Sequence, residues 1–190
     1  MDVLEAIKKR RANRSFDPIE VTDDLVRDLA SVAQIAPSCI NSQPWRFIFI
    51  YGNENIKNIL PALSKRNQVW IKRASLIIAV FSKIDDDCVI EEREYYLFDT
   101  GLASAFIILR ATELGLIAHP IAGFDEAKAK QILKIPENMR LITFINIGKK
   151  SDTVNPELSK PQKLGEKQRP PRKPLSKFIF INQYGDAITE

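Results

Sequence analysis

The residues from 36 to 47, APSCINSQPWRF, place amide and hydroxyl side chains directly before an apolar stretch, FIFIY. The composition of FIFIY is typical of a β-strand. A simple connector needs one turn signal, whereas this stretch has several hydrogen-bonding side chains, among them Asn41 and Gln43. We therefore expect the stretch to bind a flat ligand with a polar edge, close to the N-terminal end of the strand.

Basic residues form two clusters that could bind an anion. The first is KKRRANR, residues 8–14, and the second lies between residues 160 and 177, where Glu166 is the only opposing acid. One interpretation is that both clusters are solvated surface charge. The other is a phosphate site, since clustered cations attract the phosphate of a nucleic acid or of a small cofactor.

The sequence lacks the motifs of a protein-supplied nucleophile or a metal site, such as GxSxG, HExxH and CxxC. The single histidine, His119, predicts neither a zinc site nor a histidine-based triad. The two cysteines, Cys39 and Cys88, predict no disulfide framework and no metal site. The acid pair Glu91–Glu92 is interpreted as charge at a helix start. We therefore expect no catalytic side chain, and a bound cofactor to carry any chemistry.

Alternating helices and strands must position these groups. Thr22, followed by two acids, indicates a helix start, and the continuous apolar run 74–81 is typical of a strand buried on both faces. Five of the eleven prolines lie in 151–174, which predicts an extended arm. The predicted helices are 2–11, 22–37, 56–63, 91–115 and 125–133, and the predicted strands are 47–51, 74–81, 141–148 and 178–182. This order favours a mixed α+β fold with a central sheet.

The helix predicted over 91–115 is apolar nearly all round, so it must be covered on every side. The chain has little other structure to cover it, which favours a partner subunit; the alternative is the central core helix of a monomer. We predict a single domain over 1–190, with the arm at 151–174 and a C-terminal strand and tail at 175–190.

Composition favours an ordinary globular protein. The chain has 190 residues, 45% of them hydrophobic and 27% charged. Its uncharged apolar runs are far shorter than the roughly 20 residues that a membrane span needs. The N-terminus carries Asp2 and Glu5 and has no apolar core of the signal-peptide type. We expect a cytoplasmic protein.

Five stretches, in order and spread over the whole chain, resemble the FMN-dependent nitroreductase family. They are KKRRANRSFDP (8–18), APSCINSQPWRF (36–47), NQVWIKRASLIIAVF (67–81), GLIAHPIAGFDEAKAKQIL (115–133) and RKPLSKFIF (172–180). The resemblance implies an α+β fold with a central, mainly antiparallel sheet flanked by helices. It also implies a homodimer that binds FMN at its interface and exchanges the C-terminal arm and strand between subunits.

The resemblance also implies which residues contact FMN. Arg14 would lie near flavin N1 and O2, where its charge would stabilise the reduced ring. Asn41 and its neighbours would reach the flavin of the other subunit, which would explain their polarity. The implied cofactor-binding residues are Arg10, Arg11, Ala12, Arg14, Pro37, Ser38, Cys39, Asn41, Asn67, Ile121, Ala122, Gly123, Arg172 and Lys173.

Several positions depart from the family pattern. Ala12 stands where a serine is frequent, Ala122 where some members have an acid, and Trp70 where some have a lysine near the flavin. These changes leave FMN binding as the expectation but bear on the choice of substrate. His119 precedes the implied flavin-binding residues Ile121, Ala122 and Gly123. The alternatives for it are a proton donor and a packing or loop-capping residue.

The activity implied by the resemblance is ping-pong hydride transfer. NADH or NADPH would reduce flavin N5, and an electron-poor acceptor such as a nitroaromatic or a quinone would then be reduced in the same pocket. One alternative is a family branch with other flavin chemistry, dehalogenation or ring oxidation. Another is a non-enzymatic basic protein that binds nucleic acid, although the basic residues lack the interleaved aromatics used for base stacking.

Overall fold

An antiparallel sheet of five strands lies at the centre of this computed structural model, which describes residues 1–188. The strands are β1 (Phe16–Asp17), β2 (Arg46–Tyr51), β3 (Leu76–Ser82), β4 (Val89–Ile90), β5 (Arg93–Glu94), β6 (Leu116–Ile121) and β7 (Arg140–Lys150). In the central sheet β7 pairs with β1, β3 and β6, and β3 also pairs with β2. Every pair is antiparallel, and β4 and β5 form a separate hairpin. The predicted antiparallel sheet is confirmed.

Several of the helices begin at residues whose side chains cap them. They are α1 (Val3–Lys9), α2 (Asp23–Gln34), α3 (Asn53–Ile59), α4 (Lys65–Ile71), α5 (Tyr96–Glu113), α6 (Glu126–Leu133) and α7 (Lys160–Lys167). The Thr22 hydroxyl accepts a hydrogen bond from the Leu25 amide at 3.2 Å, so α2 begins where the sequence predicts. The Asp125 carboxylate caps α6 through the Lys128 amide at 3.0 Å. Within residues 1–188, none of the helices combines the length and the apolarity needed to cross a bilayer.

Strand β3 is buried along its whole length, as its composition predicts. Ile77 belongs to the hydrophobic core on one side of the sheet, which also contains Trp70. Ile78 belongs to the core on the other side, together with Ile107 of α5. Each fully buried aliphatic side chain of this size stabilises the fold by about 1.5–3 kcal/mol. The strand is therefore a rigid support for the loops at the sheet edges.

Helix α5 begins at Tyr96, whereas the sequence predicted a start at Glu91. Glu91 and Glu92 instead form the turn of the β4–β5 hairpin, with φ angles of 48° and 67°. Two consecutive residues with positive φ are typical of a tight hairpin turn. The prediction of a helix start was wrong because exposed charges suit a hairpin turn as well as a first helical turn.

This chain covers only part of the surface of α5. Ala103, Ile107 and Ala111 are fully buried. Near the start of the helix, Leu97 and Phe98 remain 46% and 64% exposed. The exposed apolar end is what we expect if another surface packs against it.

The arm over 151–174 contains a helix, α7, which the sequence did not predict. Its prolines were read as excluding packed structure, but Pro161 lies in the first turn of α7, where no amide partner is lost. Gln162 accepts a hydrogen bond from the Ser159 amide at 2.9 Å and fixes the helix start. Glu166, near its end, is buried. The arm is therefore docked on the domain instead of being extended throughout.

The strand predicted over 178–182 does not form on the sheet of this chain. Leu175–Lys177 makes a short 3₁₀ turn, and a single bridge joins Phe180 to Ala187. Phe178 is 54% exposed. An apolar pattern identifies a segment that can form a β-strand, but it does not determine which sheet edge the segment pairs with. The last two residues of the predicted tail, 189 and 190, lie outside the described residues.

Cys39 and Cys88 form a disulfide bond, which corrects the prediction that the two cysteines make no disulfide framework. Their Cα atoms are 6.0 Å apart, within the range that a disulfide can bridge. They are 49 positions apart in sequence, and no local signal predicts the pairing, because it depends on the fold. The bond ties the segment after α2 to the β4–β5 hairpin.

Reduction of this disulfide should lower the free energy of unfolding by about 4 kcal/mol, because the bond closes a long loop in the unfolded chain. Urea unfolding with and without dithiothreitol measures the difference. A Cys39→Ser/Cys88→Ser double variant is the control and should not respond to the reductant. Identical unfolding midpoints for the oxidised and reduced wild-type chain would contradict the expectation.

Candidate functional site

The two basic clusters of the sequence meet at one cavity of about 310 Å³. We call it the arginine cavity; its lining is Arg10, Arg11, Ala12, Arg14, Gly165, Arg169, Pro170 and Arg172. It brings together the implied cofactor-binding residues of the two basic clusters except Lys173, which is exposed outside the lining. The N-terminal segment and the C-terminal arm of the same chain thus build one site.

Positive charge is concentrated in the arginine cavity. Partial burial, and then the charges of Arg169 and Arg172, lower the pKa of Arg10. Neither Arg10 nor Arg172 forms an ion pair with any residue in 1–188. A bound phosphate would relieve this repulsion, and guanidinium groups match its oxygens in bidentate geometry.

Two of the arginines also hold the cavity walls together. Arg11 Nη2 donates a hydrogen bond to the Gly165 carbonyl oxygen at 2.8 Å. Arg169 Nη2 donates to the carbonyl oxygens of Lys8 and Arg10 at 2.8 and 2.7 Å. Arg169 was part of the basic run in the sequence but was not singled out, since no local pattern separates it from its neighbours.

Trp70 connects the arginine cavity to the sheet. Its ring is fully buried, with the Arg14 guanidinium carbon 5.8 Å from the ring centroid, within cation–π range. The ring also packs on His119 at a centroid distance of 4.7 Å. Trp70 is therefore a core residue that supports Arg14 from below.

His119 is buried beneath the site. Its Nδ1 lies 3.0 Å from the Asn13 carbonyl oxygen, which can only accept, so Nδ1 carries the proton in the neutral ring. The pKa of His119 is lowered to about 4, mainly by burial; the hydrogen bond with Asn13 opposes the shift, and the nearby charges of Arg14 and Arg10 contribute to it. A neutral, buried ring favours the packing role over that of proton donor.

This buried histidine should make the fold sensitive to acid. The pKa of His119 is lower in the folded than in the unfolded chain. Its contribution to the free energy of unfolding is therefore complete above pH 6.5, the unfolded pKa, and is lost as the pH falls toward 4. Between pH 7.5 and pH 5 we expect the free energy of unfolding to fall by about 2 kcal/mol from this group. Urea unfolding of the wild-type chain and of His119→Gln measures it. Equal pH dependence in the two proteins would refute the assignment.

Asn67 and Gly123, both assigned to the flavin ring, lie in contact. Asn67 Nδ2 donates to the Gly123 carbonyl oxygen at 3.2 Å, and the Ser64 amide donates to the same oxygen at 3.0 Å. A Cβ atom at Gly123 would lie 2.9 Å from Asn67 Nδ2, so a larger residue there would displace the Asn67 amide. Of the other loop residues, Ile121 ends β6 and is buried, whereas Ala122 is exposed.

The backbone between residues 40 and 43 is unusual for residues other than glycine. Ile40, Asn41 and Gln43 have φ angles of 45°, 62° and 49°. Left-handed conformations cost free energy, most of all for a β-branched residue such as Ile40, and they are concentrated at functional sites. Ile40 is also 90% exposed, so burial of its own side chain does not explain this conformation.

Several of the polar side chains in this stretch serve the turn itself. Ser38 Oγ accepts a hydrogen bond from the Gln43 amide at 3.0 Å, and Ser42 Oγ donates to the Cys39 carbonyl oxygen and to Asp87. The side chain of Asn41 is exposed, as is Pro37. Of the polar groups that the sequence assigned to a ligand, Asn41 is thus the one that the structure leaves facing outward.

Asp99 anchors this stretch from α5. Its carboxylate accepts the Cys39 amide at 2.6 Å, and the residue is only 3% exposed. Burial raises the pKa of Asp99, the nearby Asp87 raises it further, and the bond from Cys39 opposes this shift. The sequence reading missed Asp99, although a single acid inside an otherwise apolar helix was the available signal.

The chain is similar to several known proteins along most of its length. A Bacillus subtilis protein, YdgI, named provisionally as an NAD(P)H nitroreductase, is 26% identical over 188 residues, which cover 80% of this chain and 90% of the relative. A Methanothermobacter thermautotrophicus protein, named provisionally as an NADH dehydrogenase/NAD(P)H nitroreductase, is 30% identical over 153 residues, 78% of this chain and 77% of the relative. A solved oxidoreductase containing FMN is 26% identical, with a TM-score of 0.83 over 97% of this chain and 92% of that one.

The family profile agrees with these relatives. The sequence profile of the Nitroreductase family matches residues 7–77 and 62–149, which together are more than half of the chain. These residues contain β1, the segment after α2, α4 and the loop after β6. The chain belongs to the nitroreductase family.

Proposed function

We propose that the chain is an FMN-dependent oxidoreductase that takes electrons from NADH or NADPH. The arginine cavity is the observation that carries the proposal, because it gathers unpaired cations from two distant parts of the sequence at one place. Convergence on a cavity favours the phosphate of a small cofactor over a nucleic-acid backbone, which needs charge spread along a face. The names of relatives that carry FMN or use NAD(P)H support the same choice.

The residues present suit FMN. Arg10, Arg14 and Arg172 would hold the phosphate and the polar edge of the ring. The side-chain amide of Asn67 would donate to the flavin ring. The backbone of Gly123 would lie close to the ring, because glycine has no side chain to separate them. Ala122 is exposed and small, so the loop after β6 would be accessible to the flavin on that face. The departures from the family pattern, Ala12 among them, remove side-chain contacts without filling the cavity.

Bound FMN would supply the chemistry, passing a hydride from NADH or NADPH to an electron-poor acceptor, such as a nitroaromatic or a quinone, in a ping-pong sequence. The chain itself would supply position and charge. Arg14 places a positive charge over Trp70 and would favour the reduced, anionic ring. We assign no catalytic side chain, and His119 remains neutral at physiological pH.

We further propose a homodimer in which the stretch containing Asn41 serves the flavin of the partner. The exposed apolar side chains on α1, directly after α2 and on α5 support an interface there, since Val3 and Ile35 line one mainly apolar groove with Phe106 of α5. Val3 is 72% exposed, Ile35 74% and Phe98 64%. The exposed apolar residues near 178–181 would suit the exchange of the C-terminal segment.

Anaerobic stopped-flow absorbance tests the proposed reaction. NADH or NADPH should bleach the visible flavin band of the purified protein, and a nitroaromatic or quinone added afterwards should restore it. In steady state, double-reciprocal plots at several acceptor concentrations should be parallel, because the two substrates never bind together. A flavin band that neither nicotinamide bleaches would contradict the proposal.

A further inference from the structure

The carboxylate of Glu166 is buried against the backbone of the arginine cavity. The residue lies near the end of α7 and is 7% exposed. Its Oε1 accepts a hydrogen bond from the Arg14 amide at 2.8 Å, and its Oε2 accepts one from the Ser15 amide at 3.2 Å. One side chain therefore fixes two consecutive peptide groups in the segment that carries the cavity arginines.

Further bonds continue this attachment on both sides. Asn13 Nδ2 donates to the Glu166 carbonyl oxygen at 3.4 Å, and Ser15 Oγ accepts a hydrogen bond from the Asn155 amide at 2.9 Å. Together with the bond from Arg11 to Gly165, they seat α7 on residues 11–15 of the same chain. The position of α7 is thereby fixed, and with it the start of the segment that carries Arg169 and Arg172 into the cavity lining.

We propose that Glu166 is a positioning residue for the cofactor phosphate, acting through the attachment of α7 to residues 14 and 15 and so through Arg169 and Arg172, which follow α7 in the cavity lining. The inference rests on the proposed function, since it concerns the same site. Glu166 holds α7 against residues 11–15, so that the arginines of both segments converge. A buried carboxylate with hydrogen bonds to two amides is costly to replace, because the amides would be left unpaired.

A purely electrostatic account of Glu166 predicts an effect of the opposite sign. Its negative charge lies close to Arg14, whose pKa it raises against the lowering caused by burial. If charge alone mattered, removing the carboxylate would make the cavity more positive and would strengthen phosphate binding. If position matters, the same change weakens phosphate binding in spite of the added positive potential.

Two substitutions of Glu166 distinguish the effect of its side-chain geometry on phosphate binding from the effect of its charge. Glu166→Gln keeps the size of the side chain and removes its charge, and its amide group opposes one of the two backbone amides. Glu166→Asp keeps the charge and shortens the reach by one methylene, so that both bonds cannot form together. The matched control is Glu157→Gln, which removes an acid of the same arm that is exposed and paired with Lys72 at 2.7 Å.

Titration of the flavin-free chain with FMN and with riboflavin, which lacks the phosphate, tests the proposal. Wild type should bind FMN more tightly than riboflavin. Both Glu166 variants should bind FMN about tenfold more weakly, the cost of one charge-assisted hydrogen bond, with riboflavin affinity changed less than about twofold. Glu157→Gln should match wild type for both ligands.

The outcomes against the proposal are distinct from failure of the proposed function. Unchanged or tighter FMN binding in the Glu166 variants would overturn it, as would an equal loss for FMN and riboflavin, which indicates general damage to the fold. If Glu166→Gln does not fold, Glu166→Asp decides between the positional and the electrostatic account. It keeps the charge, so only the positional account predicts weaker FMN binding. A wild-type chain that binds neither flavin would instead contradict the proposed function.

Discussion

Arg10→Glu and Arg172→Glu variants are each expected to bind FMN more than about tenfold more weakly than the wild-type chain. Each substitution removes a charge-assisted contact worth roughly 1.5–3 kcal/mol and adds repulsion toward the phosphate. Both side chains line the arginine cavity, although 162 positions of the 190-residue chain separate them in sequence. Fluorescence titration of the flavin-free protein measures the effect.

Lys163→Glu is the control for this experiment, because it makes the same charge change on α7 outside the cavity lining. Stability provides a second control. Arg10 is already repelled by Arg169 and Arg172, so its replacement by Glu should not lower the free energy of unfolding of the flavin-free chain. Equal losses of FMN affinity from all three variants would indicate diffuse charge in place of a site.

Combining two defective subunits should restore a working site, which is the second large effect. If Asn41 serves the flavin bound by the partner's cavity, each site uses one residue from each chain. Homodimers of Arg10→Glu and of Asn41→Leu should both be poor in flavin. In a mixed dimer of the two variants, both lesions fall on one site and the other site is intact, so about one tight FMN should bind per dimer.

The mixed dimer can be made by unfolding and refolding the two variants together and isolating it with two different affinity tags. Each homodimer, taken through the same procedure, is the control for damage during refolding. If Asn41 and Arg10 served the same flavin from one subunit, every site of the mixed dimer would carry one lesion. No recovery of binding would then be seen, and the proposed role of Asn41 would be wrong.

The sequence was most informative where a local pattern determines the structure. Thr22 caps α2, as its hydroxyl and the acids after it indicate. The apolar run that became β3 is buried on both faces of the sheet. The spacing of basic residues near Arg10 located one wall of the arginine cavity. In each case the signal lies within a few residues and acts through helix capping, burial or charge.

Features that depend on distant partners could not be read in this way. Cys39 meets Cys88 because the hairpin folds back toward the end of α2. Asp99 holds the Cys39 amide, and Glu166 holds the Arg14 amide, across gaps that only the tertiary fold closes. Buried acids of this kind are placed by the hydrogen bonds that they accept, and sequence spacing carries no record of those partners.

Local misreadings had a different cause. The prolines of 151–174 favour an extended arm, yet the first turn of α7 accommodates Pro161. Glu91 was read as the start of a helix, and its charge is equally suited to the exposed turn of a hairpin. In both cases one residue type is compatible with two structures, and the neighbouring packing decides between them.

Identification of the flavin released from the purified protein tests the central claim most directly. The protein should be yellow, and denaturation should release FMN, with no FAD, at about one molecule per chain. Chromatography of the released flavin against FMN, FAD and riboflavin standards makes the distinction. Flavin-free protein should regain the colour when FMN is added. A colourless protein that added FMN does not reconstitute would contradict the account.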